Sequence, residues 1–428
     1  MATANIPVVD YALLSAGRRG DFITQLHAAL ADVGFLVLAN APGFEDDFQQ
    51  RVMREARGFF ESSADIKATA DIRGNPYYRG WSKPTRGDSV NAYGEPRFAQ
   101  IIEAYQYAFE QEAVAAHDDA SVPIHRRLFR GPNAWPDAGA LPGFRPAVLD
   151  LTRRHHDLTH ILGHLICEAL GVDPMRFDEI FDKTDPDLAA SLSHNFAMDR
   201  ISPELRPTIE AEYAKPMSKI TGAHIDGPPL IALLVNDRPG LQVIGAEGRW
   251  ISAPVTCRTA PGDYQATAAV DVIPGSVIVN SGGTLMHLSR GRFAATLHRV
   301  NTCLIPMGES RISLPFFLLP KMEGPLVPWI DADVDDRADG QGVEENTGIN
   351  EGRDRGVNAS VNRMGTFPQV TKRWWAEEFD ALAKKHAAEV QAETQSAYRI
   401  AQERAARNRK DGDDRNDTTA FGGRGSKL

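Results

Sequence analysis

"TGAHIDGPPLIALLVNDRPGLQV" runs from Thr221 to Val243. It sets His224 and Asp226 two residues apart, then an apolar, β-prone run, then the turn Asn236-Asp237-Arg238-Pro239-Gly240. The same His-x-Asp spacing occurs in His117-Asp118-Asp119 and His155-His156-Asp157, so spacing alone marks nothing. Local structure separates the three. Residues i and i+2 project from one face of a strand, whereas on a helix they point apart. His155 and Asp157 fall in "LTRRHHDLTHILGHLICEAL". There Leu158, Ile161, Leu162 and Leu165 predict a packing helix from about Ala147 to Leu170, stopped by Gly171. His160 and His164 could share a face of that helix, but no third ligand stands nearby. His117 and Asp119 lie in "QEAVAAHDDASVP", which reads as a helix end and polar loop.

His224 and Asp226 stand in different surroundings. From about Ser191 to Leu319, short β-prone runs alternate with turn residues: "SLSHNFAM", "AHID", "LIALLV", "GLQVI", "RWISAPV", "AVDVIPGSVIVNSG", "ATLHRVNTCLIP" and "RISLPFFLLP". Many short strands at close spacing predict a sandwich or barrel. "CRTAPGDYQATAA" interrupts them and reads as a surface loop. On the N-terminal side, "NIPVV" reads as a strand. "DFITQLHAALADVGFLVLANAPG" reads as a helix, a stop at Gly34 and a strand. "FEDDFQQRVMREARGFFESSADIKATA" is a second amphipathic helix, and "RGNPYYRGWSKPTRGDSVNAYGEP" a loop.

A metal needs a third ligand, and "ATLHRVNTCLI" offers His298 on another β-prone run. Two imidazoles and one carboxylate with open positions form the facial triad of non-haem Fe(II) oxygenases. Further on, Arg311-Ile312-Ser313 places a guanidinium fork and a hydroxyl on one strand face, a pair suited to holding a carboxylate. The other Arg-Ile-Ser, Arg200-Ile201-Ser202, precedes Pro203 and reads as a strand exit.

Composition predicts a soluble, intracellular globular protein. The 428 residues are 42% hydrophobic and 24% charged, with 47 Lys+Arg against 57 Asp+Glu, a formal net charge of -10. A negative chain without a basic stripe argues against a nucleic-acid partner. No apolar stretch reaches membrane-spanning length. Cys167, Cys257 and Cys303 are odd in number and not in motif spacing, so no disulfide framework is expected. The chain closes with Ser426-Lys427-Leu428 after the polar "DGDDRNDTTAFGGRG". That tripeptide predicts a peroxisomal location and an import receptor as partner, with the cytoplasm as the alternative.

The ordered motifs resemble the Fe(II)/2-oxoglutarate-dependent dioxygenase superfamily, specifically its isopenicillin N synthase-like group. "IPVVD" and "ALADVGFLVLANAPG" match its N-terminal part. His224-x-Asp226, "RPGLQV", "VIVNSGG", "LHRV" and Arg311-x-Ser313 match its catalytic part, in that order. The resemblance implies a mainly β fold with flanking α: a double-stranded β-helix (jelly roll) core, a helical N-terminal region and a long C-terminal helix. It implies an N-terminal α/β region over 1–125 and a helix plus catalytic core over 126–328; beyond these the sequence itself reads as a polar loop over 329–365, a helix over 366–410 and a flexible tail over 411–428. Metal ligands map onto His224, Asp226 and His298, and the cosubstrate carboxylate onto Arg311 and Ser313, with Asn195 beside them. Tyr78, Lys83, Arg86 and Tyr105 are implied as substrate-pocket residues.

Two departures stand out. Asn195-Phe196-Ala197 occupies the place of the family's frequent Asn-x-Tyr, so a Tyr contact to the cosubstrate is missing. Ser281-Gly282-Gly283-Thr284 replaces the Gly-Asp or Gly-Glu that often follows "VN".

The implied chemistry uses Fe(II), 2-oxoglutarate and O2, with ascorbate as a stimulant. It yields succinate and CO2 while a small molecule is hydroxylated, desaturated or cyclised, in metabolite biosynthesis. Two alternatives stay open. One is an isopenicillin N synthase-like oxidase that uses no 2-oxoglutarate. The other is a non-catalytic jelly-roll binding protein.

Overall fold

The computed structural model describes residues 5–85, 101–215, 222–245, 248–258, 270–322, 326–330, 370–382 and 384. Its strands are β1 (Val8–Asp10), β2 (Phe35–Ala39), β3 (Gly80–Thr85), β4 (Ile102–Tyr107), β5 (Asp187–Phe196), β6 (Ile231–Asn236), β7 (Leu241–Ile244), β8 (Trp250–Ser252), β9 (Val277–Ser281), β10 (His298–Val300) and β11 (Ser310–Leu319). Among the described residues they form an eight-stranded sheet, ordered β1-β2-β9-β6-β11-β5-β4-β3, and a three-stranded sheet, ordered β10-β7-β8. A single antiparallel bridge between His224 and His298 extends the small sheet by one residue pair.

Strand alternation explains how the sheets are layered. Leu36, Leu38, Leu233, Val235, Val277 and Val279 enter one core cluster, together with the helices Arg19–Asp32, Asp46–Glu61 and Phe144–Leu170. Their sequence neighbours Phe35, Val37 and Ile278 enter another, shared with Leu241, Val243 and Ala253 of the small-sheet region. The central strands are therefore apolar on both faces, which requires a cover on both sides. Helices cover the outer face, and the small sheet covers the inner face over β2, β9 and β6. Toward the other end, Ala189, Phe317 and Leu319 pack instead against Val370, Trp374 and Trp375 of the helical segment at 370–382.

The N-terminal strands join the same large sheet at both edges, β1-β2 on one side and β4-β3 on the other. The described residues of 1–125 and those of the following core therefore share one sheet and one hydrophobic core. Three sequence readings need correction. The segment read as a plain loop contains β3, because Gly80-Trp81-Ser82 pairs with Ala104-Tyr105-Gln106. "AHID" is not a strand: only His224 bridges, and Asp226 lies in a loop turned by Gly227-Pro228-Pro229. Pro228 and Pro229 have no N–H with which to continue a ladder. The sequence also hid a short helix, Gly283–Leu288. Most of the interrupting loop, the polar segment at 331–365, most of the expected C-terminal helix and the Ser426-Lys427-Leu428 tail lie outside the described residues. No described helix is long and apolar enough to cross a membrane, and all three cysteines are free.

Candidate metal and cosubstrate centre

His224, Asp226 and His298 come together with their ligand atoms within 4.8 Å of one another. The Nε2 of His224 lies 3.6 Å from Asp226 Oδ1, and the Nε2 of His298 lies 3.6 Å from Asp226 Oδ2. Behind each ring, Nδ1 donates to a backbone carbonyl, Gly222 for His224 (2.9 Å) and Thr296 for His298 (3.1 Å). A carbonyl can only accept, so both rings carry their proton on Nδ1 and turn the Nε2 lone pair toward Asp226. This is the arrangement by which outer partners fix the tautomer and aim of a ligating imidazole. The Phe35 ring from β2 braces His298 edge-on at 5.3 Å. Burial holds His298 down at about 4 against the pull of Asp226, which keeps it neutral and able to coordinate. Burial alone would raise the Asp226 carboxyl, but His298, His224 and the Asn280 amide hold it well below the usual carboxylate range.

The Asp226 loop is pinned to the end of β9. Gly282 N–H donates to the Leu230 carbonyl (2.8 Å), Gly283 N–H to Asp226 (2.7 Å) and Thr284 N–H to Gly227 (3.1 Å). Thr284 Oγ1 adds a bond to the Pro228 carbonyl (2.7 Å). A Cβ on Gly282 would fall 2.1 Å from the Pro229 carbonyl oxygen, and one on Gly283 would fall 2.8 Å from that of Gly227. Only glycine allows this approach, so the unusual Ser281-Gly282-Gly283-Thr284 has a structural role. It seats Asp226, while Asn280 Nδ2 donates to the carboxylate (2.9 Å).

Arg311 and Ser313 lie on the inner face of β11, opposite Asn195 and Ser193 of β5. Arg311 is fully buried. Its Nε donates to the Arg238 carbonyl (3.2 Å) and its Nη1 to Ser313 Oγ (2.9 Å). Its Nη2 has no partner, and neither has the Nδ2 of buried Asn195, among the described residues. Burial lowers the guanidinium to about 10 despite the nearby Asp237 carboxylate, so it remains a cation at neutral pH. A buried cation lacking its own carboxylate, next to an amide lacking an acceptor, suits an incoming carboxylate. The donor sets therefore fit a divalent metal at one point and a dicarboxylate's far end at another. Ala197, in the place of the family's Tyr, is fully buried and opens a short 3-10 turn.

The substrate-pocket expectations fare differently. Tyr78 is fully buried, packs with Trp375 and shares a 2.6 Å bond with Thr371 Oγ1. Tyr105 is fully buried among Phe59, Trp135 and Phe144, and its hydroxyl donates to the Ala134 carbonyl. Both are packing residues. Tyr105 sits on the outer face of β4, and Tyr78, just before β3, turns into the cluster around Trp375. Lys83 is exposed, and Arg86 lies outside the described residues. What the sequence reading missed is a polar row on the inner face. Gln106 pairs with Ser191, and Ala104 with Ser193. Ser82 stands opposite Ala104. The alternation Ser191-x-Ser193-x-Asn195 was the available signal. The other histidine pairs stay out of the site. His155 is buried between Phe44 and Phe316, and burial lowers it to about 3. His164 pairs with Asp178.

Residues 6–138 match the family model described as non-haem dioxygenase in morphine synthesis N-terminal, and residues 262–320 match that of the 2OG-Fe(II) oxygenase superfamily. The second match contains His298, Arg311 and Ser313. A 2-oxoglutarate-dependent dioxygenase of Gibberella zeae is 25% identical over 406 residues, 90% of this chain and 94% of the relative. The 2-oxoglutarate-dependent dioxygenase frbJ of a Dothideomycetidae species is 26% identical, covering 74% of each. Among solved structures, that of a full-length Neurospora crassa protein in complex with alpha-KG shares the fold, with a TM-score of 0.56 at 23% identity over 78% of this chain and 91% of that one. The chain belongs to the 2OG-Fe(II) oxygenase superfamily and is a non-haem Fe(II)/2-oxoglutarate-dependent dioxygenase.

Proposed function

We propose that His224, Asp226 and His298 hold the Fe(II), and that Arg311, Ser313 and Asn195 hold the distal carboxylate of 2-oxoglutarate. The observation that carries this reading is the pair of buried donors without a partner among the described residues, Arg311 Nη2 and Asn195 Nδ2, on the inner face of the sheet, where Phe35 also meets the His298 ring. When bound, iron and 2-oxoglutarate supply oxidative decarboxylation coupled to oxidation of a substrate C–H bond. The chain's own residues do the positioning. The carbonyls behind His224 and His298 aim the ligands, Asn280 orients Asp226, and Arg311 sets the direction from which the cosubstrate reaches the metal. The stacked sheets, with β9-β6-β11-β5 over β10-β7-β8 and the single His224 bridge, read as the two halves of a double-stranded β-helix.

The substrate is a neutral small molecule with hydrogen-bonding groups. Ser82, Gln106, Ser191 and Ser193 share the inner face beyond β11. Gln106 is half-buried and stands opposite Ser191 on that face. This strip offers uncharged donors and acceptors, suited to hydroxyl or carbonyl groups. A role in metabolite biosynthesis follows from such a substrate. A screen of metabolite extracts for 2-oxoglutarate- and Fe(II)-dependent succinate release tests the function. Gln106→Ala should then raise the substrate KM about tenfold, as loss of one hydrogen bond predicts, without moving the KM for 2-oxoglutarate. The peroxisomal address rests on Ser426-Lys427-Leu428 alone. Imaging the protein with and without the tripeptide tests it.

A further inference from the structure

Arg311 is held by a turn that the N-terminal region itself anchors. The turn Asn236–Gly240 supplies the Arg238 carbonyl that accepts from Arg311 Nε. Its Asp237 is buried and bonds twice to the strand carrying Arg311: Ile312 N–H donates to Asp237 Oδ1 (2.8 Å), and Asp237 N–H donates to the Ile312 carbonyl (3.2 Å). The other carboxylate oxygen, Oδ2, accepts from Arg57 Nη2. Arg57 comes from the helix Asp46–Glu61, and its Nη1 also reaches Ser310 Oγ (3.2 Å) at the start of β11.

The electrostatics give this contact a second consequence. Asp237 bonds both backbone groups of Ile312, the residue after Arg311, and shares its turn with the Arg238 carbonyl that holds Arg311 Nε, so its buried carboxylate lies close behind the guanidinium. A buried carboxylate beside a buried guanidinium is a rival for any carboxylate that must bind there. Arg57 engages that rival from the opposite side.

We propose that Arg57 is a positioning residue for the cosubstrate: by pairing with Asp237 it keeps the Asp237 carboxylate from neutralising Arg311, and so leaves Arg311 free for the 2-oxoglutarate carboxylate. This rests on the reading of Arg311 given above. It makes two variants that break the same ion pair behave oppositely. Arg57→Met releases a competing carboxylate and should weaken 2-oxoglutarate. Asp237→Asn removes the competitor, keeps an acceptor for Ile312 N–H, and should not.

The test is calorimetric titration of 2-oxoglutarate into the full-length, Mn(II)-loaded protein, with thermal unfolding recorded alongside. Arg57→Met should raise the 2-oxoglutarate Kd about tenfold, the scale of one charge-assisted bond, with Mn(II) affinity unchanged. Arg57→Lys should recover part of the loss, and Arg57→Met/Asp237→Asn should return the Kd to near the wild-type value. Equal weakening by Arg57→Met and Asp237→Asn, or no rescue in the double variant, would reduce the ion pair to a fold contact and overturn the proposal. Should Arg57→Met fail to fold, Asp237→Asn alone still decides, because a raised Kd for that variant contradicts the competition. Arg311→Lys is the control: if it leaves 2-oxoglutarate binding intact, the reading of Arg311 fails, whatever Arg57 does.

Discussion

Arg311 and Asn195 are cross-strand partners on β11 and β5, and each ends in a buried nitrogen donor without an acceptor among the described residues. Two such donors side by side are costly to leave unmade, about 1–3 kcal/mol for each desolvated group, so the site is built to receive something that accepts from both. Arg311→Lys keeps a positive charge but loses the two-point fork. The expected effect is a 2-oxoglutarate KM raised about ten- to a hundredfold, from roughly 1.5–3 kcal/mol of charge-assisted bonding. Asn195→Ala should raise it less. Steady-state succinate formation measures both, and an unchanged KM in Arg311→Lys would remove Arg311 from the cosubstrate site.

His224→Ala and His298→Ala should abolish Mn(II) binding while circular dichroism stays native, because neighbouring backbone, not the metal, builds the frame around them. His155→Ala should do the reverse. Its ring fills space between Phe44 and Phe316, so the cavity should cost about 2–5 kcal/mol of stability and leave metal affinity alone. Metal loss in a folded His155 variant would contradict the assignment.

Gly282→Ala is a steric test of how Asp226 is seated. The added methyl would meet the Pro229 carbonyl at 2.1 Å, and the loop carrying Asp226 must move away. Mn(II) affinity should fall at least tenfold, a loss of about 1.4 kcal/mol or more. Thr284→Val, which loses only the bond to Pro228, should do less. Wild-type metal affinity in a folded Gly282→Ala protein would separate the glycine pair from the metal site.

Much of this centre could be read in the sequence, and the reason is local. Arg311 and Ser313 share a face because strand alternation fixes it; His224 and Asp226 stay together because they stand two residues apart in one short run, although that run is a bridge and a loop, not a strand. Tyr78, in the stretch that reads as a loop, and Tyr105, beyond it, are hard to place from sequence because an aromatic looks the same whether it points into a pocket or into a core. Only the pairing of β3 with β4 decides it. Asn280 and Gly282 were hidden for another reason. Their roles depend on contact with the Asp226 loop, more than fifty residues away in sequence, and no local pattern encodes that. The apolar runs of β2, β6 and β9 announced buried strands, yet their order in the sheet is a long-range property.

Glu103 gives a pH-dependent check on the sheet edge that carries the polar row. Buried Glu103 accepts from His194 Nδ1 (2.8 Å), Trp81 Nε1 (2.8 Å) and Lys67 Nζ (3.1 Å). Burial alone would raise its carboxyl, but these three partners hold it below its ordinary value. A depressed acid stabilises the fold above its unfolded pKa, about 4.3 for Glu. That contribution is lost as pH falls through the lower folded value. Glu103→Gln should cost about 1.5–3 kcal/mol at pH 7 and flatten the loss of stability below about pH 4. Urea midpoints at pH 7 and in acid measure it. Parallel acid limbs for the two proteins would mean that the carboxylate contributes nothing there.

The reading of the centre as one site, with metal and dicarboxylate held at opposite ends of the same cosubstrate, is tested by titrating 2-oxoglutarate into the protein with and without Mn(II), in wild type, His298→Ala and Arg311→Lys. The expected result is binding that requires Mn(II), disappears in His298→Ala and weakens about ten- to a hundredfold in Arg311→Lys. Binding of equal strength without the metal, or in His298→Ala, would contradict it.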